Sequence, residues 1–290
     1  MSATSLTWGR RSIPGPGGLP AVAVSLTGPS LAQARTQARS AVVAGADVLE
    51  LRVDLLEEAG ALAAPDPLDA ATAAAQVLEC LRGLGEIIAA DGADAGAGAP
   101  LLLTCRTAAE GGRAQLDDTA YGSLLRSVLD GLADWAPERR PAAIDVEVQR
   151  GCLPQVCAQA HGLGVDVVAS FHDFEATPAD AVLEEVLTRM ASEGADLAKI
   201  AVWPTSADDV ARLLGVCARA TAGTGEAAAL DVPVAAMSMG ALGAVSRVAP
   251  AFGSALTFAV VPDEQGQARA SAPGQLPIQD VRRCLELLRA

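Results

Sequence analysis

Short runs that read as β-strands recur along the chain, and most are followed by a stretch with helical spacing. The strand candidates are 21–26 (AVAVSL), 47–53 (DVLELRV), 101–105 (LLLTC), 143–148 (AIDVEV), 165–170 (VDVVAS), 197–202 (LAKIAV), 232–238 (VPVAAMS) and 255–261 (ALTFAVV), eight in all. Helical stretches lie at 30–44, 67–84, 118–134, 178–192, 206–220 and 277–289, with Thr177 before Pro178 as one start signal. Strands separated by helices pair in parallel through right-handed crossovers. Eight such units in 290 residues predict an α/β fold, a single-domain (β/α)8 TIM barrel spanning residues 20–290. A doubly wound open sheet is the alternative, but no G-x-G-x-x-G follows the first strand.

Strand parity then separates two kinds of residue. Side chains alternate between faces, so in DVLELRVD Leu49, Leu51 and Val53 share one face and Glu50, Arg52 and Asp54 the other. In a barrel the apolar face meets the helices and the charged face points inward or to the mouth. The same parity turns Thr104 with Arg106, Asp145 with Glu147, Ser170 with His172, and Lys199 inward. Barrel interiors are usually filled by branched apolar side chains, and a buried charge costs several kcal/mol unless paired. Five strands with polar groups near their C-terminal ends therefore predict a site on that face. Each residue alone also has a plain structural reading: an ion pair for Glu50 and Arg52, a satisfied core group for Asp145, Glu147 or His172, an exposed helical position for His161.

Lys199 stands out by composition. The 21 basic residues comprise twenty arginines and this one lysine. Arginine serves equally well on a helix surface and better in ion pairs, but it does not lose its proton at neutral pH. A lysine inside a barrel is desolvated, and arginines nearby disfavour its charge. Both lower its pKa from ~10.4. The neutral amine attacks a carbonyl to form an imine, an electron sink that acidifies the adjacent C–H. Arginines offer a seat for a substrate carboxylate. With no metal-ligand spacing, P-loop or dinucleotide motif, the residues predict a class I, imine-forming lyase or aldolase acting on an anionic carbonyl compound.

The formal net charge of −14 argues against a nucleic-acid or membrane-surface binder, since both need a basic face. The six cysteines, Cys80, Cys105, Cys152, Cys157, Cys217 and Cys284, include no CxxC pair and sit mostly in apolar stretches, which predicts a reducing, cytoplasmic compartment. No run of ~20 apolar residues predicts a membrane span. Residues 1–19 read as a disordered leader; their paired arginines before AVAVSL outline a twin-arginine export signal, but the apolar run is short and bracketed by prolines. Residues 89–100 (AADGADAGAGAP) read as a flexible insertion.

Six stretches, in order, resemble the type I 3-dehydroquinate dehydratase family: ELRVD (50–54), TCRTAAEGG (104–112), SFHDFEATP (170–178), ADLAKIAV (195–202), SMGALGAVSR (238–247) and SAPGQLP (271–277). The resemblance covers roughly 20–289 and implies a (β/α)8 barrel, no cofactor, and removal of water from 3-dehydroquinate to give 3-dehydroshikimate. It implies Lys199 as the imine-forming lysine, His172 as the general acid–base and Glu110 as the carboxylate supporting it. It implies that Glu50, Arg52, Arg106 and Arg247 hold the substrate, with Arg247 on its carboxylate. Ser271 and Gln275 fall in a loop that closes over substrate, and Met237, Met239 and Phe174 line the pocket. Members of the family are often dimers, so a homodimer is an expectation. A class I aldolase on the same fold, or a quinate-pathway sensor without catalysis, are the rival readings. The aldolase usually needs a phosphate seat, and the sensor should lack the lysine or the histidine.

Overall fold

In the computed structural model, residues 4–63, 69–91, 99–223, 229–262 and 269–289 are described. A hairpin comes first, with strands β1 (Leu6–Trp8) and β2 (Arg11–Ile13) joined at Gly9, whose φ of 57° suits glycine. Eight strands follow: β3 (Ala21–Leu26), β4 (Val48–Arg52), β5 (Leu101–Thr104), β6 (Ala143–Glu147), β7 (Asp166–Asp173), β8 (Leu197–Val202), β9 (Val234–Ser238) and β10 (Leu256–Val260). All pair in parallel in the spatial order β10-β3-β4-β5-β6-β7-β8-β9. The backbone N–H of Ala255 donates to Val234 O at 2.7 Å, so the two ends of the row meet as a closed barrel requires. A two-residue strand, β11 (Leu276–Pro277), adds to β10.

Helices α1 (Leu31–Val43), α2 (Ala70–Asp91), α3 (Asp118–Leu132), α4 (Leu153–Gly162), α5 (Asp180–Ser192), α6 (Ala207–Ala222) and α7 (Ile278–Leu287) cover the outside. Their starts follow local chemistry. Ser206 and Asp209 form a reciprocal capping box on α6, and Asp117 accepts from Ala120 N on α3. Leu49, Leu51, Leu103, Ile144, Val146, Val167 and Ile200 pack outward against the helices in one continuous core.

The opposite parity fills the barrel and changes character along its length. Towards the N-terminal ends it is apolar: Ala21, Ala23, Val48, Leu102, Ala143, Val168, Leu197, Ala235 and Leu256 form a separate cluster. Towards the C-terminal ends the same rows continue as Ser25, Glu50 and Arg52, Thr104, Asp145 and Glu147, Ser170 and His172, and Lys199. The register holds these at one level, with Ser25 opposite Glu50, Glu147 opposite Ser170, and Ser170 opposite Lys199.

Three expectations need correction. Residues 4–19, predicted as disordered leader, contain the β1–β2 hairpin; Trp8 and Ile13 are buried in the apolar barrel cluster, and Trp8 Nε1 donates to Asp166 Oδ2 at 2.8 Å. The hairpin is fixed because it closes the barrel floor. Of the insertion at 89–100, residues through Asp91 continue α2, and 92–98 lie outside the described residues. Thr177 does not cap α5; its hydroxyl donates to Trp203 O, and the helix begins after Ala179. No helix among the described residues is long and apolar enough to cross a membrane.

Candidate active site

The polar rows end in a cleft of about 460 Å³, counting the space open to solvent at its mouth. It brings together Lys199, His172, Glu110, Glu50, Arg52 and Arg106 from four strands, β4, β5, β7 and β8, and their following turns. Met237, Phe174, Arg247, Ser271 and Gln275 line it too, so these sequence-named residues converge on one space. Met239 does not. The strand ends at Ser238 and the chain turns at Gly240, so Met239, also expected in the lining, is fully buried outside the cleft wall.

Lys199 is 4% exposed, with Nζ 4.7 Å from the centroid of Phe258. Its direct charged partners are carboxylates, Asp145 Oδ2 at 3.1 Å and Glu50 Oε1 at 3.6 Å. The expected arginines stand behind those carboxylates, and Arg106 holds the other oxygen of Asp145. Arg52 grips Asp54 through two 2.8 Å bonds, and Arg106 donates to Asp145 Oδ1 at 2.7 Å, Glu147 Oε1 at 3.1 Å and Ser170 Oγ at 2.8 Å. Asp54 also accepts from the backbone N–H of Arg106 and Arg113, which ties the turn after β5 to β4.

Burial favours the neutral form of Arg106, yet Asp145, Glu110 and Glu147 hold it charged well above the ordinary arginine range. Asp145 is fully buried, which pushes its carboxyl up. The charges of Arg106 and Lys199 and the hydrogen bonds from Ser170 and Lys199 outweigh that and leave it below the usual value.

His172 Nδ1 lies 2.8 Å from Glu110 Oε2. Burial, then the charges of Arg106, Lys199 and Arg52, hold the imidazole well below its ordinary pKa, so it is neutral at neutral pH. Glu110 moves the other way. Burial, with Glu147 and Asp145 nearby, raises its carboxyl to about 8 despite Arg106. Phe174 stacks beside His172, ring centroids 6.5 Å apart.

Arg247 differs from the other arginines. It is 2% exposed and has no carboxylate within ion-pair reach among the described residues. Its Nη2 donates to Pro273 O at 3.1 Å, its Nη1 to Phe258 O at 3.5 Å, and Nε has no partner. Burial pulls it down to about 10. A buried guanidinium facing a cleft without a counter-charge is a seat for an anion.

The segment 271–275 folds over this cleft. Ser271 N donates to Gln275 Oε1 and Gln275 Nε2 to Ser271 Oγ, both at 3.0 Å, while Ser271 Oγ bonds Ser25 Oγ at 2.8 Å. Ser25 in turn donates to Glu50 Oε2, and Thr104 to Glu50 Oε1 at 3.0 Å. Gly240 N donates to Pro273 O at 3.1 Å.

Ser25 and Phe258 are functional neighbours that the sequence reading passed over. Both share the inward parity of their strands, Ser25 with Ala21 and Ala23, Phe258 with Leu256; that parity was the available signal. Among the described residues, no cluster of three His, Cys, Asp or Glu side chains is placed to hold a metal ion. An arrangement of amine, neutral imidazole with a carboxyl group behind it, and guanidinium without a carboxylate partner among the described residues can form an imine on an anionic ketone and move a proton beside it.

The chain matches the family described as Type I 3-dehydroquinase over residues 22–290. It is 38% identical over 274 residues to a 3-dehydroquinate dehydratase of Lactiplantibacillus plantarum, covering 93% of each chain. The crystal structure of 3-dehydroquinate dehydratase from Geobacillus kaustophilus superposes with a TM-score of 0.78 at 29% identity, covering 98% of this chain and 96% of that one. A type I 3-dehydroquinate dehydratase from Clostridium difficile with covalently modified comenic acid superposes with a TM-score of 0.79 at 28% identity, covering 98% of both.

Proposed function

The chain belongs to the type I 3-dehydroquinase family, and from that premise we propose that its cleft dehydrates 3-dehydroquinate to 3-dehydroshikimate through an imine on Lys199. The observation that carries the reading is that one cleft holds the chain's only lysine and the His172–Glu110 pair.

Lys199 Nζ adds to the C3 ketone to give a carbinolamine, which loses water and leaves a protonated imine. His172 takes a proton from C2, and the C–H electron pair flows to nitrogen as an enamine. The enamine then expels the C1 hydroxyl, which leaves as water with the proton held by His172. Hydrolysis of the conjugated imine releases the enone product and restores the amine. Glu110 holds His172 through Nδ1, leaving Nε2 for the substrate. Arg247 takes the substrate carboxylate, because it is a buried cation with no carboxylate partner among the described residues. Glu50, Arg52 and Arg106 shape the wall around the ring, and Ser271 and Gln275 close above it and keep water out.

A class I aldolase would use the same amine but would need a carbon–carbon bond to cleave, and a sensor would need neither the amine nor the imidazole; the presence of both, hydrogen-bonded and buried, favours dehydration. Adding 3-dehydroquinate should produce the near-UV absorbance of a conjugated enone, with turnover. Absorbance unchanged at any enzyme concentration would remove this reading.

A further inference from the structure

Asp145 has no role in the steps above, does not line the cleft, and is fully buried. Its two oxygens are used differently. Oδ1 accepts from Arg106 Nη2 and from Ser170 Oγ, both at 2.7 Å; Oδ2 accepts from Lys199 Nζ at 3.1 Å. One end is clamped by two donors, one from the turn after β5 and one from β7, and the other end faces the nucleophile. Ser170 stands opposite Lys199 in the β7–β8 register, so clamp and nucleophile sit at the same level of the barrel.

We infer that Asp145 is the positioning carboxylate of the lysine nitrogen, directing the free amine and holding the protonated imine by charge and direction. The inference rests on the imine reading above. The nitrogen is positive once the carbinolamine has lost water. In the protonated imine it keeps one N–H, and that N–H lies in the plane of the C=N bond. A carboxylate oxygen fixed at 3.1 Å from the nitrogen therefore selects the rotation of the imine about the lysine stem. That rotation decides whether the C2 hydrogen faces His172. Glu50 is less suited to this task. Its Oε1 is farther from Nζ, at 3.6 Å, and both its oxygens already accept hydroxyl bonds.

The chemistry of the site also says what an amide would do there. The position needs acceptors on both sides, two donors meeting Oδ1 and one meeting Oδ2. Asparagine supplies one acceptor oxygen and one NH₂ group, so Asp145→Asn must set a donor against either Lys199 or the Arg106–Ser170 pair. The companion change, Ser170→Ala, leaves the charge in place and removes one of the two clamps.

The test measures kcat, KM and the rate at which borohydride fixes ligand to the protein at saturating 3-dehydroquinate, in wild type, Asp145→Asn and Ser170→Ala, with melting temperature alongside. Removing a preorganised charge from beside a reacting nitrogen is expected to lower kcat and the fixation rate in Asp145→Asn by about a hundredfold. KM should move by less than about threefold, since Asp145 does not reach the cleft. Ser170→Ala should lower both rates by about fivefold in the same direction. A merely structural role would lower the melting temperature and leave kcat per trappable site unchanged; that result overturns the inference. Should Asp145→Asn not fold, Ser170→Ala decides alone: unchanged kcat and fixation rate refute the role, and a loss in both at constant KM supports it. Failure of wild type to be fixed at all would instead bring down the imine reading, and Asp145 with it.

Discussion

The Nδ1 of His172 and the Oε2 of Glu110 lie 2.8 Å apart in a nearly dry site, and the two groups share one proton. Which side holds it sets what His172 can do. Burial and the neighbouring cations push His172 well below its usual value, and burial raises Glu110 to about 8, so below that pH the proton sits on Glu110. A protonated Glu110 donates to Nδ1 and leaves the ring hydrogen on Nε2, which then cannot accept one. Above about 8 the carboxylate accepts from Nδ1–H, and Nε2 becomes a base. The free-enzyme profile of kcat/KM is expected to rise with pH through about 8. In Glu110→Gln the amide oxygen accepts from Nδ1–H at every pH, so this limb should vanish, with a lower plateau. A profile that keeps the same limb in Glu110→Gln would take the titration away from this pair.

Arg247 is a buried cation facing only carbonyls. Replacing it with methionine removes a charge that no carboxylate among the described residues neutralises, so the melting temperature of Arg247→Met should rise. The same change removes the proposed seat for the substrate carboxylate, and kcat/KM should fall by roughly tenfold to a hundredfold, mostly through KM. Thermal unfolding and steady-state kinetics on one preparation check both signs. A fall in stability with intact KM would make Arg247 a structural residue.

Gly274 holds the covering loop in place for two reasons. Its φ is 81°, and a Cβ there would sit 2.2 Å from Gly240 O. Gly274→Ala should undock the 271–275 segment while leaving the barrel intact, because both glycines lie beyond the strand ends. The expected result is a lower kcat/KM and faster amide exchange across 269–277, with the melting temperature nearly unchanged. Wild-type kinetics in this variant would mean that loop closure contributes nothing to catalysis.

Much of this was legible in the chain. Parallel strands alternating with helices leave few topologies, and an inward charge is costly enough that Glu50, Arg52, Lys199 and His172 could be placed by parity alone. What escaped did so for physical reasons. The sequence pattern ends this strand at residue 170, but Phe171, His172 and Asp173 stay paired with Ile200, Ala201 and Val202 and extend β7 to Asp173. Three-residue strands such as β1 and β2 are too short to show a period, so the barrel floor was invisible until Trp8 was seen buried. Ser25 sits in an apolar run where its parity with Ala21 and Ala23 is the one signal, and its partners, Ser271 and Glu50, give it a place in the site. Arg247, Ser271 and Gln275 lie outside the strands, where parity says nothing; the resemblance named them.

The floor gives a control far from the chemistry. Trp8 is 1% exposed and bonded to Asp166, so Trp8→Ala should destabilise the fold by about 3–5 kcal/mol. The kcat of the folded fraction should match wild type. Chemical denaturation and activity at low temperature measure the two separately. A selective loss of kcat would connect the hairpin to the site.

The central claim is that Lys199 forms an imine with substrate, and its lone status makes the measurement clean. Borohydride added with 3-dehydroquinate should reduce the imine and lock ligand to the protein. The only other amine is at the N-terminus, so tryptic digestion and mass spectrometry should place the adduct within residues 190–212, at Lys199. Lys199→Arg keeps the charge but cannot give a neutral nucleophile at working pH; it should abolish both trapping and most activity. Trapping that persists in Lys199→Arg, or an adduct confined to the N-terminal amine, would contradict the imine mechanism.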